Sequence, residues 1–332
     1  RALQPRPTSE SFTLVKAFGD GTFGDQAENI SVRTADFSGV NGTGVELTLN
    51  AFGSASGAAI LLDDEDGGGV SPDALANGGE NLTLNADGNI QAVANNTLAE
   101  LTSSGTVVHL ESRNGAIGSN TLPIQLDPGY GRVDVVGGPN GVWLEGIGQL
   151  ALGDLSALAG PVFLSVTTDY IALQDDITTP GENITFRSPV VIEEDGKNIS
   201  TGAGGGGTIT FESTLDSQDG EYNSLTLEAG TGNVALDDVV GRDAGGFGFA
   251  NPQLGAFTVT GAGNITVADR VATGDGDTGT LNAPVDFTYS GVLSLLDPDG
   301  VDDTATVDWM VDGAFVDNAA STGSVELQAD IA

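Results

Sequence analysis

One phrase recurs along the chain, and it constrains the fold more than any other feature. It stands as NLTLNADGNIQAV at 81–93, SLTLEAGTGNVALDD at 224–238 and AFTVTGAGNITVA at 256–268. A worn fourth copy, DFTYSGVLSLLD, is read at 286–297. The copies beginning at Leu225, Phe257 and Phe287 are spaced 32 and 30 residues apart. Related runs lie between and before them: VELTLNAF (45–52), GENITF (181–186), GKNIST (196–201) and GGTITF (206–211). Repetition at a fixed period marks a fold in which each repeat buries its apolar face against its neighbours.

Each half of the phrase alternates with the two-residue period of a strand. Val, Ile, Thr and Phe dominate, as strands prefer. Leu225, Leu227, Val234 and Leu236 are expected inside, with Asp237 or Asp238 facing out. No long stretch carries a 3.6-residue apolar period. GQLALGDLSALAG (148–160) is the best helix candidate, but its leucines suit a strand equally.

Two architectures accommodate short strands at this spacing. The hinges separate them. Tight hairpins favour Asn-Gly or Asp-Gly, whereas this chain writes Gly88-Asn89, Gly232-Asn233 and Gly263-Asn264. That order reads as a corner heading a new strand, with glycine taking positive φ and asparagine bonding the backbone or the next repeat's asparagine. The expected fold is therefore all-β, a right-handed parallel β-helix (β-solenoid) with turns of about 25–30 residues. The alternative is a set of β-sandwich modules. Residues 1–29 are read as an N-terminal cap or subunit contact, 30–297 as the solenoid and 298–332 as a C-terminal cap with a closing strand.

Composition narrows the partners. The chain has 47 acidic and 10 basic residues among 332, a formal net charge of −37. Such a surface repels nucleic acid, whose binding rests on cations that neutralise phosphates. It suits surroundings rich in calcium or salt, where cations screen self-repulsion. No run approaches the 18 apolar residues of a membrane span, so membrane insertion is not expected. With no cysteine, disulfides and thiolate chemistry are excluded. A start at Arg-Ala-Leu-Gln-Pro reads as a portion of a longer precursor.

NGAIGSNTLPIQLD (114–127), followed by GPVFLSVTTDYIALQDDITTPGENITF (160–186), resembles the filamentous-haemagglutinin-like and β-strand-repeat surface proteins of bacteria. Asn114, Gly115, Ile117, Gly118 and Pro123 carry the first phrase. The serial strands through GAGGGGTITFEST and SLTLEAGTGNVAL carry the rest, so the resemblance covers about 79–271. It implies a secreted or surface-attached parallel β-helix serving adhesion or extracellular structure, and supplies no catalytic residues.

Candidate sites are few. His109, the one histidine, sits in the alternating run TVVHLES and is expected on the solvent side. No GxSxG elbow, Walker or dinucleotide fingerprint is present. GAGGGG (202–207) lacks the Lys-Ser/Thr of a phosphate loop and reads as a corner. The pairs Asp175-Asp176 and Asp237-Asp238 could serve polysaccharide chemistry, but adjacent strand residues point to opposite faces. The chain is thus read as not an enzyme. Calcium is the best ligand candidate, at Asp297, Asp299, Asp302 and Asp303, where oxygens alternate about a glycine turn. Asp63-Asp64-Glu65-Asp66 and Asp275/Asp277 are weaker versions. Trp143 and Trp309 are expected to pack in the core or a cap.

These features together give an extracellular or cell-surface bacterial protein, structural or adhesive. It would assemble end to end with copies of itself through 1–29 and 304–332, or engage a cell-surface or glycan receptor. The alternative is a polysaccharide-binding or polysaccharide-cleaving β-helix.

Overall fold

A computed structural model describes residues 12–16, 30–33, 35–37, 47–52, 57–63, 75–77, 81–93, 99–103, 107–127, 129, 131–241, 247–248, 254–255, 257–259, 264–267, 279–283, 286–289, 307–311 and 314–317. The described elements are all strands, and every described strand pairing is parallel. Parallel neighbours cannot be joined by a two-residue hairpin. The pairing therefore removes the hairpin-built sandwich from consideration. The chain divides into two compact units, residues 1–168 and 169–332.

In the first unit, one sheet runs Phe12–Lys16, Leu47–Ala51, Leu82–Ala86, Val107–Ser112, Arg132–Gly137 and Leu150–Ala157. A second runs Ala35–Phe37, Leu75–Asn77, Leu101–Ser103, Ile124–Asp127, Val142–Gly146 and Val162–Val166. A short third sheet holds Ile30–Arg33, Ile60–Asp63 and Ile90–Ala92. The chain visits the sheets in turn, so strands adjacent in a sheet are distant in sequence. Inward columns form by register: Leu49, Leu84, Leu110, Val135 and Leu155 stand level across five strands, and all five are buried. Stacking like on like is how a parallel sheet satisfies both its ladder and its core.

The second unit repeats the plan. Its first sheet holds Ile177–Thr178, Lys197–Ser200, Leu225–Glu228, Phe257–Val259, Gly279–Ala283 and Val307–Val311. Its second holds Ile184–Phe186, Ile209–Phe211, Val234–Leu236, Asn264–Val267, Asp286–Tyr289 and Ala314–Asp317. Ile171–Leu173, Val190–Ile192 and Leu215–Ser217 pair in that order as a branch of the first sheet. Leu225, Leu227, Val234 and Leu236 are buried as expected, and Asp237 is exposed. Phe186 and Phe211, in register, stack at 4.7 Å and 7° in the core.

Two expectations need correcting. First, the return distance is not near-constant. In the first unit, Leu47 pairs with Leu82, Val108 with Leu82 and Val133, and Val133 with Leu152, which gives returns of 35, 26, 25 and 19 residues. The shortest return goes straight from Arg132–Gly137 to Val142–Gly146 without a third-sheet strand. Second, the supposed fourth copy is misplaced. Phe287 pairs with Ile265 in the second sheet, while Gly279 pairs with Phe257. The true successor is GTLNA (279–283), which lacks the leading apolar residue and so escapes the pattern. The run 150–157, open between helix and strand in the sequence, is a strand, with a register break against Arg132–Gly137 that accommodates Gly153 and Asp154. Ile171–Leu173, Val190–Ile192 and Leu215–Ser217 are buried on both faces: outward-pointing Ala172, Val191 and Asp216 are as inaccessible as their inward neighbours.

Candidate functional site

The chemistry-bearing side chains lie at the corners between strands and on the outward faces of the sheets. The corners come first, because they fix the rest. Before Ile90, Asn89 accepts the Ala116 backbone N–H through Oδ1 at 2.8 Å, one level on. Asn183 does the same for Thr208 at 2.8 Å, Asp176 for Asn198 at 2.8 Å and Asp195 for Ser224 at 2.9 Å. A corner N–H cannot join the strand ladder, so a side-chain oxygen from the preceding level takes it instead. Asn89 thus takes the backbone-bonding role expected of a corner asparagine, while Gly263 and the Asn264 side chain lie outside the described residues.

The glycine beside that asparagine acts differently from expectation. Gly88 and Gly232 are not among the positive-φ glycines; near Gly232 the positive φ falls at Gly230, φ 61°. Gly88 instead leaves no room for a Cβ, which would lie 2.8 Å from the Gly57 carbonyl. A Cβ on Gly232 would strike the Gly207 carbonyl, and one on Gly115 the backbone of Gly88 and Asn89. The corners stack backbone on backbone, and only glycine permits that approach.

The shared acceptor role predicts a simple substitution series. Asn183→Ala is expected to lower stability by about 1 kcal/mol in urea unfolding, and Asn183→Asp to recover it at neutral pH. Asp195 shows why the carboxylate serves: the Ser224 backbone N–H holds its carboxyl below the usual carboxylate range. A depressed folded-state pKa stabilises above the unfolded-state value and loses that contribution as pH falls through the folded one. Asp195→Asn should flatten this acid dependence, measured from unfolding midpoints between pH 5 and about 2.

On the outward face of the first unit's first sheet, register sets Thr83, His109 and Asp134 side by side. The order resembles a nucleophile, base and acid, yet among the described residues no hydrogen bond links them. Asp134 is instead paired with Arg132 at 3.2 Å. His109 lies on the outward face, as expected. The pair Asp175-Asp176 is split by function: Asp175 accepts from the Asp176 backbone N–H, while Asp176 holds the next corner. GAGGGG is a corner turn closed by Gly205 N–H donating to the Gly202 carbonyl at 2.8 Å.

Trp143 corrects another expectation. It is not in the core but on the outward face of Val142–Gly146, stacked on in-register Phe163 at 6.0 Å and 15°. Periodicity already carried this signal, since Val142 and Leu144 claim the inward face. Arg113 spans three levels at another corner, reaching Glu111 at 3.0 Å, Asp87 at 3.5 Å and the face of Phe52 at 4.4 Å. In the second unit Tyr170 donates to Glu193 Oε1 at 3.3 Å and meets Phe247 edge-on at 5.0 Å. Burial, then the Glu193 and Asp169 charges, pushes the Tyr170 pKa up to about 12.

Asp297, Asp299, Asp302 and Asp303 lie outside the described residues, as do Asp275 and Asp277 and the side chains of 63–66. The Trp309 side chain lies outside them too. Among the described residues, no group of three or more His, Cys, Asp or Glu side chains is placed to share a metal ion. No described helix is long and apolar enough to cross a membrane. Comparison with family models, curated proteins and solved structures finds no match to this chain.

Proposed function

We propose that the chain is a structural or adhesive section of a bacterial extracellular β-solenoid, each unit winding its parallel sheets into closed, right-handed turns. The observation that carries this reading is the in-register parallel pairing of strands 19 to 35 residues apart, with the strands of other sheets interleaved. Parallel crossovers within a sheet are right-handed in nearly all proteins. The work of such a fold is mechanical: stacked levels give continuous backbone hydrogen bonding, and an acidic surface keeps the stack soluble and apart from nucleic acid. Among the described residues, Asp134 serves Arg132, and Asp176 and Asp195 serve backbone N–H groups, which fits a structural role for these carboxylates.

Phe12–Lys16 and Val307–Val311 are the first and last described strands of their sheets. A parallel stack can be extended by a further strand at either end, and end-to-end contact with a second copy is part of this proposal. Electron microscopy at high concentration is expected to show end-to-end strings. Dispersed particles with and without calcium would overturn self-assembly, and averaged images lacking a repeat of about 4.8 Å per level would overturn the solenoid itself. The polysaccharide reading is tested separately by a glycan array with reducing-sugar detection; release of sugar would replace the structural role with an enzymatic one.

A further inference from the structure

Glu100, Gln125 and Glu145 occupy three successive levels on the outward side of the first unit's second sheet. Gln125 pairs with Glu145 in register, and Glu100 immediately precedes Leu101, the partner of Leu126. Levels stand about 4.8 Å apart. Gln125 is the hub. Its backbone N–H donates to Glu100 Oε2, and its Nε2 donates to Glu145 Oε2 at 2.6 Å. Glu100 is 1% exposed and Gln125 5%. The Gln125 Oε1 atom is buried and accepts no hydrogen bond.

An acceptor buried without a donor is costly, because the hydration it gave up is not replaced. The Gln125 amide cannot be turned over to avoid this, since its oxygen would then face the Glu145 carboxylate. The trio offers five side-chain oxygens on adjacent levels: Glu100 Oε2 and Glu145 Oε2 each accept a hydrogen bond from Gln125, and Gln125 Oε1 accepts none. Carboxylates joined by an amide carbonyl are the donor set of a hard divalent cation, which completes its shell with water. We propose that Glu100, Gln125 and Glu145 form a calcium site in which Gln125 Oε1 is the amide ligand. The site shares no residue with the acidic run 297–303, and it would lock three levels of the sheet together across its outer face.

Trp143 makes the site readable. It projects from the same face of Val142–Gly146 as Glu145, two residues away, so its excited state can sensitise a lanthanide held by that carboxylate. Terbium(III), a hard-ion stand-in for calcium, is titrated into the whole chain in about 0.15 M monovalent salt, where diffuse attraction to the acidic surface is screened. Expected is a saturable, Trp-excited emission that calcium displaces. Trp143→Phe should abolish the emission while calcium still raises the melting temperature, and Trp309→Phe should leave the emission intact. Gln125→Met, similar in shape but without the amide oxygen, should weaken calcium binding at least about tenfold. Glu145→Gln, which keeps an acceptor for the Gln125 Nε2 donor, should weaken it as well and guards against misfolding of the first variant. Emission that survives Trp143→Phe, or wild-type calcium affinity in a folded Gln125→Met or Glu145→Gln variant, would overturn the site. So would the lack of saturable uptake by the wild type.

Discussion

Phe211→Ala is expected to destabilise the second unit by about 3–5 kcal/mol, the range for removing a large, fully buried aromatic side chain. Phe211 is 1% exposed and lies face to face with Phe186 at 4.7 Å. Its register neighbour on the other side is Leu236, so truncation leaves a hole between two levels whose backbones are already fixed by the ladder. Strand spacing prevents Phe186 and Leu236 from closing over the gap, which places the cost toward the upper end of the range. Phe211→Leu should recover much of the loss, because it restores most of the volume. Chemical denaturation followed by circular dichroism measures the effect; a loss under about 1 kcal/mol for Phe211→Ala would show that the two rings are not a packing unit.

Gly232→Ala is the second large effect, and it comes from one methyl group. The added Cβ would meet the Gly207 carbonyl at the neighbouring level. The obstacle is backbone inside a stack, so relief requires levels to move apart, and a loss of about 2–3 kcal/mol is expected, at the upper end of overpacking costs. Gly204→Ala is the control. That glycine is not a positive-φ residue and has open space where the Cβ would go, so the substitution should be neutral or gain a few tenths of a kcal/mol through the unfolded state. Gly196→Ala separates the two causes further, since its φ is 70° with nothing near the Cβ; it should cost about 1–2 kcal/mol through backbone strain alone. Thermal melts of the three variants are expected to rank Gly232→Ala lowest and Gly204→Ala highest.

Much of the inward core was legible because the two-residue period is strict where one face is wet. Leu225, Leu227, Val234 and Leu236 follow from alternation alone, and so does the outward position of His109. The corners were legible in kind: Gly-Asn marks where a strand begins, and the asparagine bonds the backbone. The reason for the glycine was not legible, because backbone-to-backbone approach depends on the level below, and positive φ is the commoner explanation for a glycine at a turn. The partner of Phe257 was missed because period and phrase disagree: GTLNA keeps Thr280, Leu281 and Asn282 but opens with glycine, while DFTY imitates the phrase from another sheet. The doubly buried Ala172, Val191 and Asp216 were hidden because runs of three residues are too short to show whether alternation is absent or truncated. The Glu100–Gln125–Glu145 trio joins residues 45 positions apart, and nothing in the local sequence around Gln125 announces that its backbone N–H meets one carboxylate and its carboxamide another.

The unequal returns of 35, 26, 25 and 19 residues carry a consequence for how such a chain can change over time. Position along it is counted in levels, not residues, because each strand answers only to the strand beneath it. Residues can be added to or trimmed from a corner without disturbing any column, and a whole level can be copied or lost as one unit provided its glycine and its asparagine go with it. Variation in length should therefore gather at the turns and arrive in whole-level steps, while the columns beneath retain their alignment.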